Sequence, residues 1–192
     1  MKRVWLLGIT YIIMLICVSF LFITLCSGLH KPVLAEDAQG ADKAVTAFLR
    51  TGDILYIEEF TLAEQSHLED VRALILIALY IIIATIIAIL LFWFKMSYPE
   101  QQGVLLSPLL FLFYMTPMLA IGNFSKLFAQ FHQILFPQGN YSFPYDSLLM
   151  QTYPEIFFAK MALVIIVFML IFSSLKLLGW KYIRKKLFRN YK

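Results

Sequence analysis

The chain has 192 residues, of which 61% are hydrophobic and 15% are charged, with a formal net charge of +4. Soluble globular domains are about half apolar and about one quarter charged. The composition therefore excludes an ordinary soluble domain and predicts an all-α membrane protein with several transmembrane helices.

The first long apolar run extends from Val4 to Ser27 and follows the basic residues Lys2 and Arg3. About 20 apolar residues are enough to cross a bilayer. We interpret the run as a membrane span, because the apolar region of a signal peptide would be shorter. Cys17 and Cys26 lie within it, about 13 Å apart along a helix, so no disulfide bond between them is expected.

A polar stretch at residues 28–70 carries most of the acidic side chains. Its interleaved apolar residues argue against disorder, and a stretch this short must rest on the membrane-embedded part because it cannot form its own core. Within it we predict an amphipathic helix with Asp42 as N-cap and an end at Thr51-Gly52. Weak alternation at residues 54–62 favours a short strand or hairpin.

The remaining apolar runs predict three further spans. Ser66 and Glu69 have the spacing of a capping box before the second span, and Pro108 and Pro117 interrupt the third. Apolar residues recur at helical spacing in residues 123–136 and predict an interfacial amphipathic helix. The predicted segments are transmembrane helix 1 (1–27), an extracytoplasmic module (28–70), transmembrane helix 2 (71–95), transmembrane helix 3 (104–122), an extracytoplasmic interfacial cap (123–156), transmembrane helix 4 (157–178) and a basic cytoplasmic tail (179–192).

Basic residues predict the orientation of these four spans. Lys2, Arg3, Lys95 and the tail lie on the side that both termini share, so the positive-inside rule makes the N- and C-termini cytoplasmic. The small acidic module and the cap are then extracytoplasmic. His67, before the second span, and His132, between the third and fourth, reach this same outer face. His30 reaches it as well, and we interpret it as a loop histidine.

His67 and His132 are the candidate catalytic residues. One imidazole can act as a general base near neutral pH while the other donates to a developing oxyanion. Asp70 lies three residues after His67, on the same helix face, where it can orient an imidazole. Two alternatives are histidines that only form interfacial hydrogen bonds, and a zinc site in which Asp70 or Asp146 joins both histidines. Zinc-protease, P-loop and nucleophile-elbow motifs are absent, so we expect no metal, cofactor or nucleic-acid partner.

Other polar and aromatic residues near the predicted site have simple structural interpretations. Gly139-Asn140 is typical of a turn, and Tyr141 fits an interfacial aromatic belt. Asp146 is a candidate N-cap for the helix that follows it. Arg72 suits either interfacial anchoring or binding of a lipid phosphate or substrate carbonyl.

Two long motifs carry a family resemblance. The motif HLEDVR at residues 67–72, together with FHQILFPQGNYSFPYDSLLMQTYPEIFF at residues 131–158, resembles the lipoprotein intramolecular transacylase (Lit) family of Gram-positive bacterial membrane proteins. The topology of the whole chain is similar too. The resemblance implies an acyltransferase that moves the sn-2 acyl chain of a diacylglyceryl-cysteine lipoprotein onto the α-amine of the same cysteine. The product is a lyso-form lipoprotein, and no second lipid donor is needed.

The resemblance also implies the site residues. The family's catalytic histidines correspond to His67 and His132, its basic residue to Arg72, and its Gly-Asn-aromatic turn to residues 139–141. From the chemistry we expect His67, supported by Asp70, to be the base, and His132 to stabilise the oxyanion or return the proton.

Two other functions fit the same pattern of residues. One is a non-enzymatic membrane accessory protein whose outer module binds a partner, and the other is a metal-dependent membrane hydrolase. The transacylase hypothesis places a multi-pass protein in the cell membrane, with its site on the extracytoplasmic side. Its expected partners are a diacylglyceryl-modified lipoprotein and membrane lipid.

Overall fold

The computed structural model describes residues 2–53, 60–121 and 124–189, and regular structure within these ranges is entirely helical. The strand or hairpin predicted at residues 54–62 falls mainly on residues 54–59, outside the described residues. The helices are α1 (Lys2–Thr24), α2 (Ser27–His30), α3 (Gln39–Thr51), α4 (Leu62–Trp93), α5 (Tyr98–Ile121), α6 (Phe124–Leu135), α7 (Leu148–Thr152) and α8 (Glu155–Arg189).

Three of the described helices, α1, α4 and α8, are long and apolar enough to cross a membrane. Helix α5 packs against α1 and α8 and passes through Pro108 without interruption. Large apolar side chains such as Ile77, Ile83 and Leu163 are exposed on the outer surfaces of α4 and α8, as expected where a helix faces lipid. The predicted all-helical membrane architecture is confirmed, while the count of four spans and their orientation stay predictions.

Helix α1 lies at the centre of the bundle and contacts α4, α5 and α8. Its buried residues Leu7, Tyr11 and Leu15 pack in one cluster with Val104 of α5 and Met169 of α8. The sequence of α1 is apolar around most of its circumference, which suits a helix that packs against other helices on one side and exposes large apolar side chains on the other. The shorter helices α2 and α3 follow the C-terminal end of α1 and pack beside this bundle.

The module after α1 rests on the bundle, as predicted from its small size. Helix α3 is amphipathic, and its buried residues Val45, Phe48 and Leu49 join Leu21 of α1 and Leu68 of α4 in a second core cluster. The module consequently lies against the first turns of α4, where His67 is located.

The predicted N-cap of α3 is wrong. The helix begins at Gln39, so Asp42 lies in its first turn and is buried. The Asp42 carboxylate lies 2.6 Å from Nδ1 of His30 and accepts a 2.8 Å hydrogen bond from the Tyr153 hydroxyl. Nε2 of His30 is 2.8 Å from the carbonyl oxygen of Ile23. The buried Asp42 carboxylate is therefore paired with His30 and Tyr153 and does not cap the helix, which offsets the cost of burying a polar group.

The interpretation of His30 as a loop residue is also wrong, because His30 ends α2 and is 3% exposed. Both atoms that contact its ring nitrogens are acceptors, namely the Asp42 carboxylate oxygen and the Ile23 carbonyl oxygen. Burial raises the pKa of Tyr153, and the neighbouring Asp42 charge raises it further, so the phenol stays protonated and donates. The contacts among His30, Asp42 and Tyr153 therefore connect the module to the residues just before α8.

The capping box of α4 lies five residues earlier than predicted. Thr61, not Ser66, is the N-cap, and Glu64, not Glu69, is its partner. The backbone N–H of Thr61 donates to Oε2 of Glu64 at 2.8 Å, while Oε1 accepts a 2.8 Å hydrogen bond from the backbone N–H of Leu149. The Glu64 side chain is 1% exposed, and this long-range bond to α7 explains why the earlier pair forms the cap.

Replacing Glu64 with alanine is expected to destabilise the protein by about 3 kcal/mol, because buried donors would lose their charged acceptor. Thermal unfolding in detergent measures the effect. The matched control is Glu69→Ala, since Glu69 is exposed on the next turn of the same helix. Equal stability of the two variants would contradict the assigned role of Glu64.

Candidate active site

The two candidate histidines lie face to face between α4 and α6. Their ring centroids are 6.2 Å apart and the ring planes differ by 27°. His67 is buried, with 7% exposed, and His132 is partly buried. Residues 65 positions apart in the chain are thus brought together, as the sequence predicted.

Helix α6 holds His132 in place through contacts with the beginning of α8. The ring of Phe128 packs against that of Phe158 at a centroid distance of 4.9 Å. The Ser125 hydroxyl donates a 2.5 Å hydrogen bond to Oε1 of Glu155. Glu155 begins α8 directly after Pro154. These contacts orient α6 so that His132 faces α4.

Aromatic rings surround both imidazoles. Phe136 and Phe143 lie 4.6 and 5.6 Å from the ring of His67, and Phe128 lies 4.2 Å from the ring of His132. These rings shield His67 from water almost completely and His132 in part. Hydrogen bonds and charges act more strongly in this environment than in bulk water.

The hydrogen bonding of His132 assigns its tautomer. Nδ1 is 2.8 Å from the carbonyl oxygen of Phe128, which is only an acceptor, so Nδ1 carries the proton. In the neutral ring, Nε2 is then unprotonated. Burial lowers the pKa of His132 below its usual range, although the Phe128 carbonyl acts in the opposite direction. At neutral pH His132 therefore presents a basic nitrogen.

Asp70 does not contact His67 in the way the sequence suggested. Its Oδ2 accepts hydrogen bonds from Nε2 of Gln138 at 2.8 Å and from Nδ2 of Asn140 at 2.5 Å. Within the described residues no hydrogen bond joins Asp70 to His67, whose Nδ1 is buried without a partner. The carboxylate thus organises the Gly139-Asn140 turn, and it acts on the imidazole only through its charge.

Glu64, His67 and Asp70 form a stripe along one face of α4, three residues apart. Glu64 binds the backbone of Leu149, and Asp70 binds the side chain of Asn140, so the cap is attached on either side of His67. His67 and Asp70 were predicted as site residues from the sequence, whereas Glu64 was not. The repeated spacing of three was the available pattern, because it makes each side chain a neighbour of the next on the helix surface.

The turn that Asp70 holds also brings Tyr141 to the site. The Tyr141 ring centroid is 5.4 Å from that of His132. Gly139 has φ = 82°, a conformation that favours glycine, and this allows the chain to turn directly before Asn140. The predicted turn is present, and it places Tyr141 against His132 and Asn140 against Asp70.

Asp146 does not join the histidine pair, and its predicted role as a helix cap is wrong. Ser147 is the N-cap of α7, with its hydroxyl accepting a 3.3 Å hydrogen bond from the backbone N–H of Met150. The Asp146 residue is exposed, and its backbone carbonyl accepts from the side chain of Gln151. Two adjacent residues can both cap a helix, and here the second one does.

Arg72 lies against the end of α3. Its guanidinium occupies the space that a side chain at position 52 would need, and Gly52 has φ = 75° at the C-cap of α3. A cation is favoured at this end of a helix by the unpaired carbonyl groups. Arg72 therefore connects the module to α4, one turn after the histidine.

The described ranges contain no group of three His, Cys, Asp or Glu side chains that could hold a metal ion.

Fold and site together define a helical membrane protein in which a short cap covers a pair of histidines. The profile of the lipoprotein intramolecular transacylase Lit family matches residues 33–158. The chain belongs to this family and is an acyltransferase of the membrane.

Two solved structures share the fold over nearly the whole chain. Both are in meso structures of the membrane-integral transacylase Lit from Bacillus cereus. One is 19% identical with a TM-score of 0.79, covering 95% of this chain and 94% of that chain. The other, which carries a histidine-to-arginine mutation, is 20% identical with a TM-score of 0.70, covering 98% and 95%. No curated protein sequence shows a significant match.

Proposed function

We propose that this protein transfers the sn-2 acyl chain of a diacylglyceryl-cysteine lipoprotein to the α-amine of the same cysteine. The product is an N-acylated lyso-form lipoprotein. Family membership supports the reaction class. The observation that carries the proposed chemistry is the His132 ring, held by the Phe128 carbonyl with Nε2 left as a base, next to the ring of His67.

The proposed topology has four spans with both termini in the cytoplasm. Basic residues concentrate at the C-terminal end of α8 and at the N-terminus of α1, which favours a cytoplasmic location for these ends. The histidine pair then lies on the extracytoplasmic side. A lipoprotein anchored in the outer leaflet would present its glyceryl ester and its amine at this depth.

Proximity supplies part of the proposed catalysis. The reacting amine and ester belong to one substrate, and binding of its acyl chains among the helices would hold them together. Well-oriented groups of this kind react as if at very high concentration. The protein need not form a covalent intermediate, and the proposed site contains no evident nucleophile.

The proton transfers are assigned to the two imidazoles. The amine nitrogen attacks the ester carbonyl carbon, and Nε2 of His132 removes one proton from that nitrogen. A neutral His67 donates its N–H to the oxyanion. When the carbon–oxygen bond breaks, His132 returns its proton to the sn-2 oxygen. This assignment differs from the sequence-based expectation because His132 has an anchored Nδ1–H, whereas Asp70 is bonded to the turn.

The proposal predicts that kcat falls on acidification through the pKa of His132. Only the neutral ring can accept a proton, and its lowered pKa keeps it neutral down to pH values below about 6.5. A pH–rate profile in detergent measures this limb. The substrate amine contributes a separate limb near pH 8, which moves when a substrate with a different amine pKa is used. An acid limb that persists unchanged in His132→Gln would contradict the assignment.

Mass spectrometry of a lipopeptide tests the reaction itself. Purified protein is incubated with a synthetic diacylglyceryl-cysteine peptide, and the product is fragmented. Unchanged mass with one acyl chain relocated to the α-amine is the expected result. Loss of one acyl chain would instead indicate a hydrolase, and chelator sensitivity would identify the metal-dependent kind. An unchanged substrate with folded protein would favour an accessory role.

A further inference from the structure

Eight buried side-chain atoms have no hydrogen-bond partner among the described residues, and two of them, Nδ1 of His67 and Oδ1 of Asn140, belong to residues that Asp70 adjoins or binds. Nε of Arg72 is another, and it lies against Gly52 of the module. Buried polar atoms in native proteins usually have partners, so an atom of this kind beside the histidine pair is a candidate contact for a ligand. The proposed mechanism uses His67 but leaves Oδ1 of Asn140 without a role.

Asp70 determines which atom Asn140 presents. The carboxylate is only an acceptor, so the amide must turn its Nδ2 group towards it, and the 2.5 Å distance between the two groups agrees with such a bond. Gln138 donates to the same carboxylate oxygen. Oδ1 of Asn140 is therefore fixed as an acceptor and cannot exchange places with the amide nitrogen.

The position of Asn140 relates this acceptor to the reacting groups. Asn140 bonds to α4 one turn after His67, and the next residue, Tyr141, packs against the ring of His132. Donation to a carboxylate also increases the electron density on the amide oxygen. A buried, polarised acceptor on the turn whose next residue packs against the base is suited to an N–H donor.

We infer that Oδ1 of Asn140 accepts a hydrogen bond from the α-amine of the lipoprotein cysteine, with Asp70 as the positioning residue. This inference rests on the proposed function. A primary amine has two hydrogens: one is transferred to Nε2 of His132 during attack, and the other stays on nitrogen through to the amide product. The second N–H is the one that Asn140 holds, so the site selects a free primary amine.

Binding of unreactive ligands tests the inference separately from turnover. The ligands are a dialkyl-ether glyceryl-cysteine peptide and the same peptide without its α-amine. Wild-type protein is expected to bind the amine-bearing ligand about tenfold more tightly. In Asn140→Ala this ratio falls severalfold towards one, since Nε2 of His132 is the acceptor that remains for the amine. The matched control is Gln138→Ala, which loses a donor to Asp70 but keeps the Asn140 acceptor, and its ratio stays near that of wild type.

A paired exchange covers the case in which Asn140→Ala fails to fold. The double variant Asp70→Asn with Asn140→Asp retains the hydrogen bond with donor and acceptor reversed, and it leaves an acceptor oxygen at position 140. It is expected to keep the preference for the amine. Any one of three results overturns the inference. The double variant binds both ligands equally, Asn140→Ala keeps the wild-type affinity ratio, or wild-type protein itself does not prefer the amine-bearing ligand. Isobaric conversion of the diester substrate by wild-type protein tests the proposed function independently.

Discussion

Replacing His132 with phenylalanine is expected to reduce the rate of acyl transfer by a factor of about 100 to 10,000, the range usual for a general base. Phenylalanine retains a flat ring that can pack against Phe128 and Tyr141, so the local structure should survive. The loss is specific to the nitrogen that removes the proton. Single-turnover conversion of the lipopeptide, followed by mass spectrometry, measures it.

The control for this substitution is Gln133→Ala. Gln133 is the next residue on α6 and is exposed, so its removal should leave both activity and unfolding temperature near those of wild type. A His132→Phe protein that retains more than a tenth of the wild-type rate would show that another group removes the proton.

Replacing His67 with phenylalanine is expected to lower kcat by a factor of about 100 to 1,000, as is usual when an oxyanion donor is removed. The substitution keeps the ring that packs against Phe136 and Phe143 and removes the N–H. Because this hydrogen bond strengthens only as the oxyanion forms, KM should change little.

The companion variant His67→Gln restores an amide donor at the same position and should recover part of the lost rate. A glutamine variant no faster than the phenylalanine variant would contradict the donor role. An increase in KM with unchanged kcat would instead show that His67 binds the substrate before reaction. Glu69→Ala, exposed on the same helix, is the control for changes to α4.

The amphipathic helix α6 was predicted from a local cause, because apolar residues recur at helical spacing. The proximity of the two histidines was predicted from the order of apolar runs along the chain, which brings both to one end of the helices. The capping box was misplaced because Thr61 and Glu64 have the same pattern as Ser66 and Glu69. A contact with Leu149, 85 residues further along, decides between them.

The hydrogen-bond partners of Asp42 and Asp70 could not be predicted from sequence patterns. Asp42 bonds to Tyr153 across 111 residues, and Gln138 bonds to Asp70 across 68. No periodicity relates residues so far apart, and each side chain alone looks like an ordinary helix or loop residue. Asp70 illustrates the result, since its spacing from His67 suggested a contact that its actual partners in the turn prevent.

Placing the cap anchors and His67 on one helix has a consequence for bilayers of different thickness. Helix α4 has 32 residues and is about 48 Å long, but its first turns are polar, and the uncharged run from Ala73 to Trp93 is about 32 Å long, close to the hydrocarbon thickness of about 30 Å. In a thinner membrane this run exceeds the hydrocarbon thickness, and the helix responds by tilting. Because Glu64 and Asp70 bind the cap, such a tilt moves the cap and the His67 imidazole together. We therefore expect the distances between His67 and the cap to change little between bilayers of different thickness.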